Sequence, residues 1–210
     1  MLTCNFCPDP YCKKENAKYP PGCPCLDTAS VDGSKARSID PKYLEIGVQS
    51  ALLEANHGWD KTRLEETLRF IKTMGYKRIG VAFCYGLRNE ARVLCDILSK
   101  YGLEVVSTSC KFGNVPKEHI GLHGEQKFLP DEYDPMCNPI GQALFLDSNE
   151  TEFNILLGLC VGHDTLFIKT SETPLTVFAV KDRILCHNPL GAIYTIGNFY
   201  KNLADPGFLK

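Results

Sequence analysis

The chain has 210 residues, 44% hydrophobic and 23% charged, with a formal net charge of −2. This profile is typical of a globular protein that buries a core without needing disulfides. It gives no electrostatic reason to expect nucleic acid or an acidic membrane as a partner, and no apolar run reaches the roughly 18 residues of a membrane span. Cysteine is the unusual residue, because 5 of the 11 fall within the first 25 positions.

The opening residues, Met1-Leu2-Thr3-Cys4, lack the basic and apolar parts of a secretory signal peptide. We therefore expect a cytoplasmic protein. In that compartment clustered cysteines hold metal more often than they form disulfides, and an odd number of cysteines cannot all pair.

Two segments differ in composition. From Cys4 to about Arg37 the chain is rich in Pro, Cys, Asp and Lys and shows neither the helical nor the strand period, so it cannot build its own apolar core. From Asp40 onward hydrophobic periodicity begins. The sequence thus predicts a cysteine-rich metal-binding segment over residues 1–38 and an α/β domain over residues 39–210.

Helical periodicity covers residues 44–55, and a second helix opens at Asp60, a plausible N-cap, and ends at Gly75. Helices and short apolar runs then alternate. The predicted strands are 79–84, 103–109, 153–160 and 175–180. This alternation predicts an open, mostly parallel sheet with helices on both faces, doubly wound in the strand order 2-1-3-4. The long connection between Cys110 and Cys137 has the length of an active-site loop.

The N-terminal cysteines have a spacing suited to metal. They are Cys4, Cys7, Cys12, Cys23 and Cys25. Soft sulfur ligands in this number suit tetrahedral zinc or a [4Fe-4S] cluster, and the Cys-x2-Cys pair forms a tight chelating loop. A structural metal contributes on the order of 10 kcal/mol to folding, enough to order a segment without a core. The alternative is a mobile, reduced arm.

A second set of cysteines is scattered in sequence but aligned with the predicted sheet. Cys84, Cys110 and Cys160 each end a predicted strand, and Cys137 lies just before a predicted helix. The carboxyl ends of parallel strands meet at one edge, where ligands of α/β sheets bind. We therefore expect these four side chains to share a binding site, with Cys137 shifted towards thiolate by the helix dipole. Buried, inert cysteine is the alternative, and it is the expected state of Cys95.

The turn after the third strand supplies His163 and Asp164 as candidate catalytic groups. His163 has the chemistry to ligate metal, transfer a proton or donate a hydrogen bond, whereas Asp164 either assists it or caps the short helix. His187-Asn188-Pro189 repeats the pattern of Cys137-Asn138-Pro139, and the charges of residues 181–183 are placed to line the same edge.

Six motifs carry a resemblance to a known family. They are GVAFCYGL (80–87), CKFGNVPKE (110–118), CNPIGQA (137–143), GLCVGHD (158–164), VKDR (180–183) and HNP (187–189). Together they resemble an uncharacterised family of predicted metal-binding proteins with a domain of unknown function, found in anaerobic bacteria and archaea. The resemblance implies metal binding and supports the grouping of the sheet-edge cysteines with His163. It implies no reaction.

Three functions follow as hypotheses. The first is a metal-binding protein with a zinc or iron–sulfur site at each cysteine group, capable of redox or sulfur chemistry with a small molecule or redox partner. The second is a thiol-dependent enzyme with Cys137 as nucleophile and a structural N-terminal zinc. The third is a zinc-stabilised binding module.

Overall fold

The computed structural model describes residues 4–7, 9, 11–57 and 60–209. The chain divides into two compact units, Met1–Lys61 and Thr62–Lys210. The division falls beyond the boundary at residue 38 that composition suggested, because the two long helices of the first unit contact each other.

The first unit consists of three short 3₁₀ turns, Cys4–Phe6, Tyr11–Lys13 and Pro24–Leu26, and two helices, α1 (Thr28–Ser38) and α2 (Pro41–His57). Helix α1 lacks the periodicity that would have predicted it and forms without a buried residue. Its start is capped by the side chain of Asp27, which accepts a hydrogen bond from the backbone N–H of Ser30. None of the described residues of this unit is buried, so it has no apolar core.

The second unit opens with helix α3 (Arg63–Met74). The predicted cap at Asp60 is wrong. Thr62 caps the helix in a reciprocal capping box with Glu65, which satisfies two backbone N–H groups that Asp60 would leave unpaired. Gly75 ends the helix in the left-handed conformation.

Four parallel strands form the sheet in the order β2-β1-β3-β4. They are β1 (Arg78–Phe83), β2 (Glu104–Ser109), β3 (Phe153–Leu159) and β4 (Leu175–Val180). The remaining helices are α4 (Arg88–Lys100), α5 (Pro139–Ser148), α6 (His163–Thr170) and α7 (Leu190–Tyr194). The α/β class with a parallel sheet is confirmed. Within the described part of the chain, no helix has the length and apolar character to cross a membrane.

Apolar side chains cover the sheet on both faces. On one face α3 and α4 pack against β1 and β3 through a cluster that includes Ile71, Leu98 and Ile155. On the other face α5 and α6 contribute Leu146 and Phe167. Strand β3 is buried along its whole length, as its continuous apolar run indicates for a central parallel strand.

At the carboxyl edge β1 and β2 end level with each other, and β3 continues two residues further, to Leu159. Phe83, the last residue of β1, pairs with Ser109 on one side and Leu157 on the other. The pairing of β3 with β4 is then interrupted at Gly158, whose φ of +66° is in the left-handed region. The space for a side chain there is filled, because a Cβ at residue 158 would lie 1.9 Å from Cδ1 of the buried Leu87.

We predict that Gly158→Ala is considerably more destabilising than Gly75→Ala. Both substitutions place an alanine at a left-handed φ, which costs about 1–2 kcal/mol. Only the alanine at 158 also displaces a packed neighbour, at about 1–3 kcal/mol more, since no atom lies within 4 Å of a Cβ at 75. Urea unfolding of the two variants measures the difference, and equal midpoints would contradict it.

Candidate functional site

Two of the sheet-edge cysteines are positioned by the strand ladder itself. Cys84 follows β1 and donates its backbone N–H to the carbonyl of Leu157 at 3.1 Å. Cys110 follows β2 and donates to the carbonyl of Phe83 at 2.9 Å. Both cysteines are buried at the carboxyl edge of the sheet.

The third cysteine is brought in by the cap of helix α5. Asn138 donates its backbone N–H to the carbonyl of Cys110 at 2.7 Å, while its side chain accepts from the backbone N–H of Gly141 at 2.8 Å. The residue before the cap is therefore fixed beside β2. As a result, the Sγ atoms of Cys137 and Cys110 lie 3.7 Å apart.

The side chain of a buried glutamine also links α5 to this edge of the sheet through hydrogen bonds. The side-chain amide of Gln142 donates to the carbonyl of Phe83, the last residue of β1, and to that of Thr108, the last but one of β2. Its Oε1 is buried and has no hydrogen-bond partner within the described residues. Gln142 is not among the site residues predicted from the sequence, although an amide among the apolar positions that follow an Asn-Pro cap is a signal that points to it.

The three thiols share hydrogen bonds and differ in pKa. The hydrogen bond between Cys84 and Cys110 is the largest cause that lowers the pKa of Cys84, to about 5, against the opposing effect of burial. The hydrogen bond between Cys137 and Cys110 has the same effect on Cys137, whose pKa falls to about 6. The pKa of Cys110 is correspondingly raised far above its usual range by its two sulfur neighbours and by burial. The cluster therefore favours the thiolate form of Cys84 and Cys137 and the thiol form of Cys110.

Backbone N–H groups and basic side chains also favour the thiolate forms of these cysteines. The N–H of Gly86 and the charges of Lys181 and Arg183 also lower the pKa of Cys84, and Lys111 and His163 do the same for Cys137. The N–H of Tyr85 donates to the Cys110 sulfur at 3.3 Å.

Two of these basic groups are close to the sulfur cluster and unneutralised by acids. The Lys181 Nζ lies 3.2 Å from the position that a Cβ on Gly86 would take, so the ammonium group rests against the turn after Cys84. Within the part of the chain that the structure describes, neither Lys181 nor Arg183 forms an ion pair with a carboxylate. Their charge is therefore available to the thiolates.

Cys160 occupies a neighbouring position and does not join the three clustered thiols. Its sulfur accepts from the guanidinium of Arg183 at 3.7 Å, and no hydrogen bond links it to another cysteine among the described residues. Arg183 links Cys160 to the three clustered thiols electrostatically, because its charge also lowers the pKa of Cys84. The expected convergence of four cysteines is thus seen for three.

His163 and Asp164 open helix α6, and their backbone N–H groups donate to the carbonyl of Cys160. His163 is among the groups whose charge lowers the pKa of Cys137, after Cys110 and Lys111. Of the two roles considered for Asp164, the structure excludes the helix cap, because Gly162 holds the cap position and the Asp164 carboxylate accepts from the N–H of Thr165 within the first turn.

The similarity between the two Asn-Pro motifs does not extend to structure. Asn138 caps α5, whereas α7 begins after Pro189 without a side-chain cap. His187 takes a positive φ of 63°, and its Nδ1 accepts from the backbone N–H of Asp182 at 3.1 Å. In this structure its ring closes the loop after β4.

The N-terminal cysteines all lie in the first unit. Cys25 is hydrogen-bonded to Cys23 and is close enough to Cys12 and Cys4 for their charges to act on it. Cys7 differs, since its sulfur donates to the carbonyl of Asp9 at 2.8 Å.

In neither unit do three or more His, Cys, Asp or Glu side chains of the described residues surround a common point as metal ligands do. At the sheet edge the contacts run from Cys84 to Cys110 and from Cys110 to Cys137. Two cavities, of about 350 and 410 Å³, lie elsewhere in the second unit, and neither is lined by a cysteine.

Comparison with known proteins gives one family. The model described as protein of unknown function (DUF1847) matches residues 25–178. An uncharacterised protein of Methanocaldococcus jannaschii, MJ0455, is 51% identical over 152 residues, which is 72% of this chain and 77% of the relative. No solved structure matches the chain. The family match includes the sheet-edge cysteines and His163 and begins after four of the five N-terminal cysteines. Its description gives no activity and no metal.

We predict that Cys110→Ala raises the pKa of Cys137 towards the ordinary thiol value of about 8.5, because the hydrogen bond with Cys110, the largest cause of the low pKa, is lost. The thiolate fraction at pH 7 then falls from about nine-tenths to a few per cent. The pH dependence of Cys137 alkylation by iodoacetamide, followed by peptide mass spectrometry on metal-free protein, measures the shift.

Two variants control this experiment. Cys110→Ser keeps a hydroxyl donor and is expected to preserve most of the low pKa. Cys95→Ala removes a thiol from helix α4 that packs against the apolar cluster of the other face. A profile that is the same in Cys110→Ala, Cys110→Ser and the parent would refute the shared hydrogen bond.

Proposed function

We infer that this chain, which belongs to the DUF1847 family of proteins of unknown function, binds a thiophilic metal centre through Cys84, Cys110 and Cys137. The observation that carries the proposal is the contact of three thiols from three separate elements, two of them with pKa values below neutrality. Thiolate is the form of cysteine that ligates metal.

The state of the thiols favours a soft metal. An ordinary thiol must lose its proton before it binds, which weakens binding at neutral pH. The low pKa values of Cys84 and Cys137 reduce this cost, which then falls mainly on Cys110. The spacing is also suitable. Tetrahedral zinc with bonds of about 2.3 Å has sulfur–sulfur edges of about 3.8 Å, and the Cys110–Cys137 distance is 3.7 Å.

Three protein ligands define what kind of centre this is. A structural zinc takes four protein ligands, whereas a site with three leaves one position for an external ligand. A [4Fe-4S] cluster held by three cysteines likewise keeps one iron free of cysteine. When bound, zinc would supply Lewis-acid polarisation, and a cluster would supply redox chemistry or ligand binding at the free iron.

The basic residues fit a thiolate-rich centre. A divalent centre with three thiolates keeps one negative charge in excess, and Lys181 and Arg183 lie near Cys84 without carboxylate partners in the described chain. Backbone N–H groups donate to the sulfurs, a contact that tunes metal–thiolate centres.

Two further residues would act on an external ligand and not on the metal. His163 lies near Cys137 and is the group placed to deliver or accept a proton. Cys160, held by Arg183, is a fourth thiol within the same edge. In this proposal the partner is a small molecule that reaches the open position, or a redox protein, and the protein is cytoplasmic.

A second candidate function is supported by Cys137 itself. It combines a pKa of about 6 with a half-buried position before a capped helix, which is the setting of a nucleophilic cysteine. With Cys110 at 3.7 Å, a metal-free site would be able to reduce a disulfide substrate: Cys137 would attack one sulfur and release the other as a thiol, and Cys110 would then displace the bound half, leaving a Cys110–Cys137 disulfide.

Metal analysis of protein purified without oxygen tests the proposal. We predict bound iron or zinc that falls by about one centre per chain when Cys84, Cys110 or Cys137 is replaced by Ser. A visible charge-transfer band would identify iron–sulfur, and its absence with zinc present would identify zinc. Cys95→Ser and Cys186→Ser serve as matched controls and are expected to retain the metal.

The alternatives give other results. Unchanged metal content in the three Ser variants would overturn the proposal. If the only metal is instead lost on replacing the N-terminal cysteines, the chain is a zinc-stabilised module. If one rapidly alkylated thiol at 137 shows no protection by metal, the nucleophile function is supported.

A further inference from the structure

We propose that Gln142 is the positioning residue of the sheet-edge site, because its side-chain amide sets where Cys137 lies relative to the two strand-end thiols. Gln142 is not a ligand in this proposal and acts through the backbone of the elements that carry the thiols. Its part in metal binding rests on the proposed function above, whereas its effect on the distances between the thiols does not.

One side chain contacts all three elements that carry the clustered thiols. Gln142 belongs to α5, and its amide donates to the carbonyls of Phe83 at 3.3 Å and Thr108 at 2.8 Å. Phe83 immediately precedes Cys84, and Thr108 lies two residues before Cys110. The amide therefore joins the ends of β1 and β2 to the start of α5.

The Phe83 carbonyl is a shared acceptor. It receives the backbone N–H of Cys110 at 2.9 Å as well as the amide of Gln142. A displacement of the amide therefore acts at the same carbonyl that holds the second strand-end cysteine beside β1.

Asn138 supplies a second attachment one turn earlier. Its backbone N–H donates to the carbonyl of Cys110, and its side-chain amide donates to that of Phe112 at 3.3 Å. Residues 138 and 142 are about 6 Å apart along the helix axis, at a rise of about 1.5 Å per residue. The cap alone would leave α5 free to tilt about one point, whereas two attachments fix the position and the direction of its first turn.

Apolar packing does not provide this precision. Leu146 of α5 packs in the apolar cluster that includes Leu156 of β3, but the hydrophobic effect has no preferred direction. It holds the helix on the sheet and leaves its position along the axis to directional bonds. The Cys110–Cys137 sulfur distance of 3.7 Å suits a shared metal only within about 0.5 Å, the tolerance of a binding site.

The burial of Gln142 has a cost that stability alone does not explain. Its side chain is fully buried, and Oε1 has no hydrogen-bond partner in the described part of the chain. An unpaired buried acceptor costs about 1–3 kcal/mol, which offsets most of what the two amide bonds contribute. A side chain of small net stability that holds three elements at one point has the properties of a positioning group.

The matched variants for the test are Gln142→Met and Thr151→Val. The first keeps the length of a buried side chain and removes both donors. The second removes a buried hydroxyl that is hydrogen-bonded to the carbonyl of Leu146, at the other end of α5. Urea unfolding verifies that both variants fold and shows how much stability each loses.

The thiol geometry is measured in reduced, metal-free protein that carries Cys84→Ser, so that Cys110 has one sulfur neighbour. The protein is equilibrated with glutathione, and each Cys110–Cys137 disulfide formed converts one oxidised glutathione into two reduced molecules. Peptide mass spectrometry gives the equilibrium constant. We expect Gln142→Met to lower it about 10-fold, the size of one buried hydrogen bond, and Thr151→Val to leave it unchanged.

Zn²⁺ affinity is measured by chelator competition in chains that keep Cys84 and have the five N-terminal cysteines replaced by Ser. It is expected to fall by a similar factor in Gln142→Met and to stay unchanged in Thr151→Val. An unchanged glutathione equilibrium in Gln142→Met, or an equal fall in Thr151→Val, would overturn the proposal. If no chain binds metal while the equilibrium still separates the two variants, the metal-binding function fails and the positioning role stands.

Discussion

The level register of the parallel strands is the constraint on which the site depends. Because Phe83 pairs with both Ser109 and Leu157, the residues after β1 and β2 emerge side by side. The backbone bond from Asn138 to the carbonyl of Cys110 then adds the start of α5 to the same edge. Three cysteines far apart in sequence meet for this reason, and a register shift of one residue would separate them.

Electrostatic interactions determine the ionisation, and therefore the chemistry, of the three clustered thiols. Burial alone would favour protonated, inert cysteines. The hydrogen bonds with Cys110 come first among the causes that favour ionisation of Cys84 and Cys137, and the basic residues and the backbone N–H of Gly86 add to them. The same contacts favour the protonated form of Cys110.

Much of this arrangement could be predicted from sequence, because apolar runs and helical periodicity mark buried strands and amphipathic helices directly. The strand ends then place Cys84 and Cys110. What could not be predicted depends on side-chain geometry. Cys160 also ends a strand, but Arg183 binds its sulfur and it does not join the cluster. The role of Gln142 and the raised pKa of Cys110 follow from contacts across elements, and α1 has no periodic signal because it buries nothing.

The most direct test of the central claim is the metal content of one variant. In protein prepared without oxygen, with Cys4, Cys7, Cys12, Cys23 and Cys25 all replaced by Ser, the second unit retains its three clustered thiols. The account predicts that this variant still carries zinc or iron, and that adding Cys110→Ser removes it. A variant that carries neither metal, or that keeps its metal after Cys110→Ser, would contradict the account.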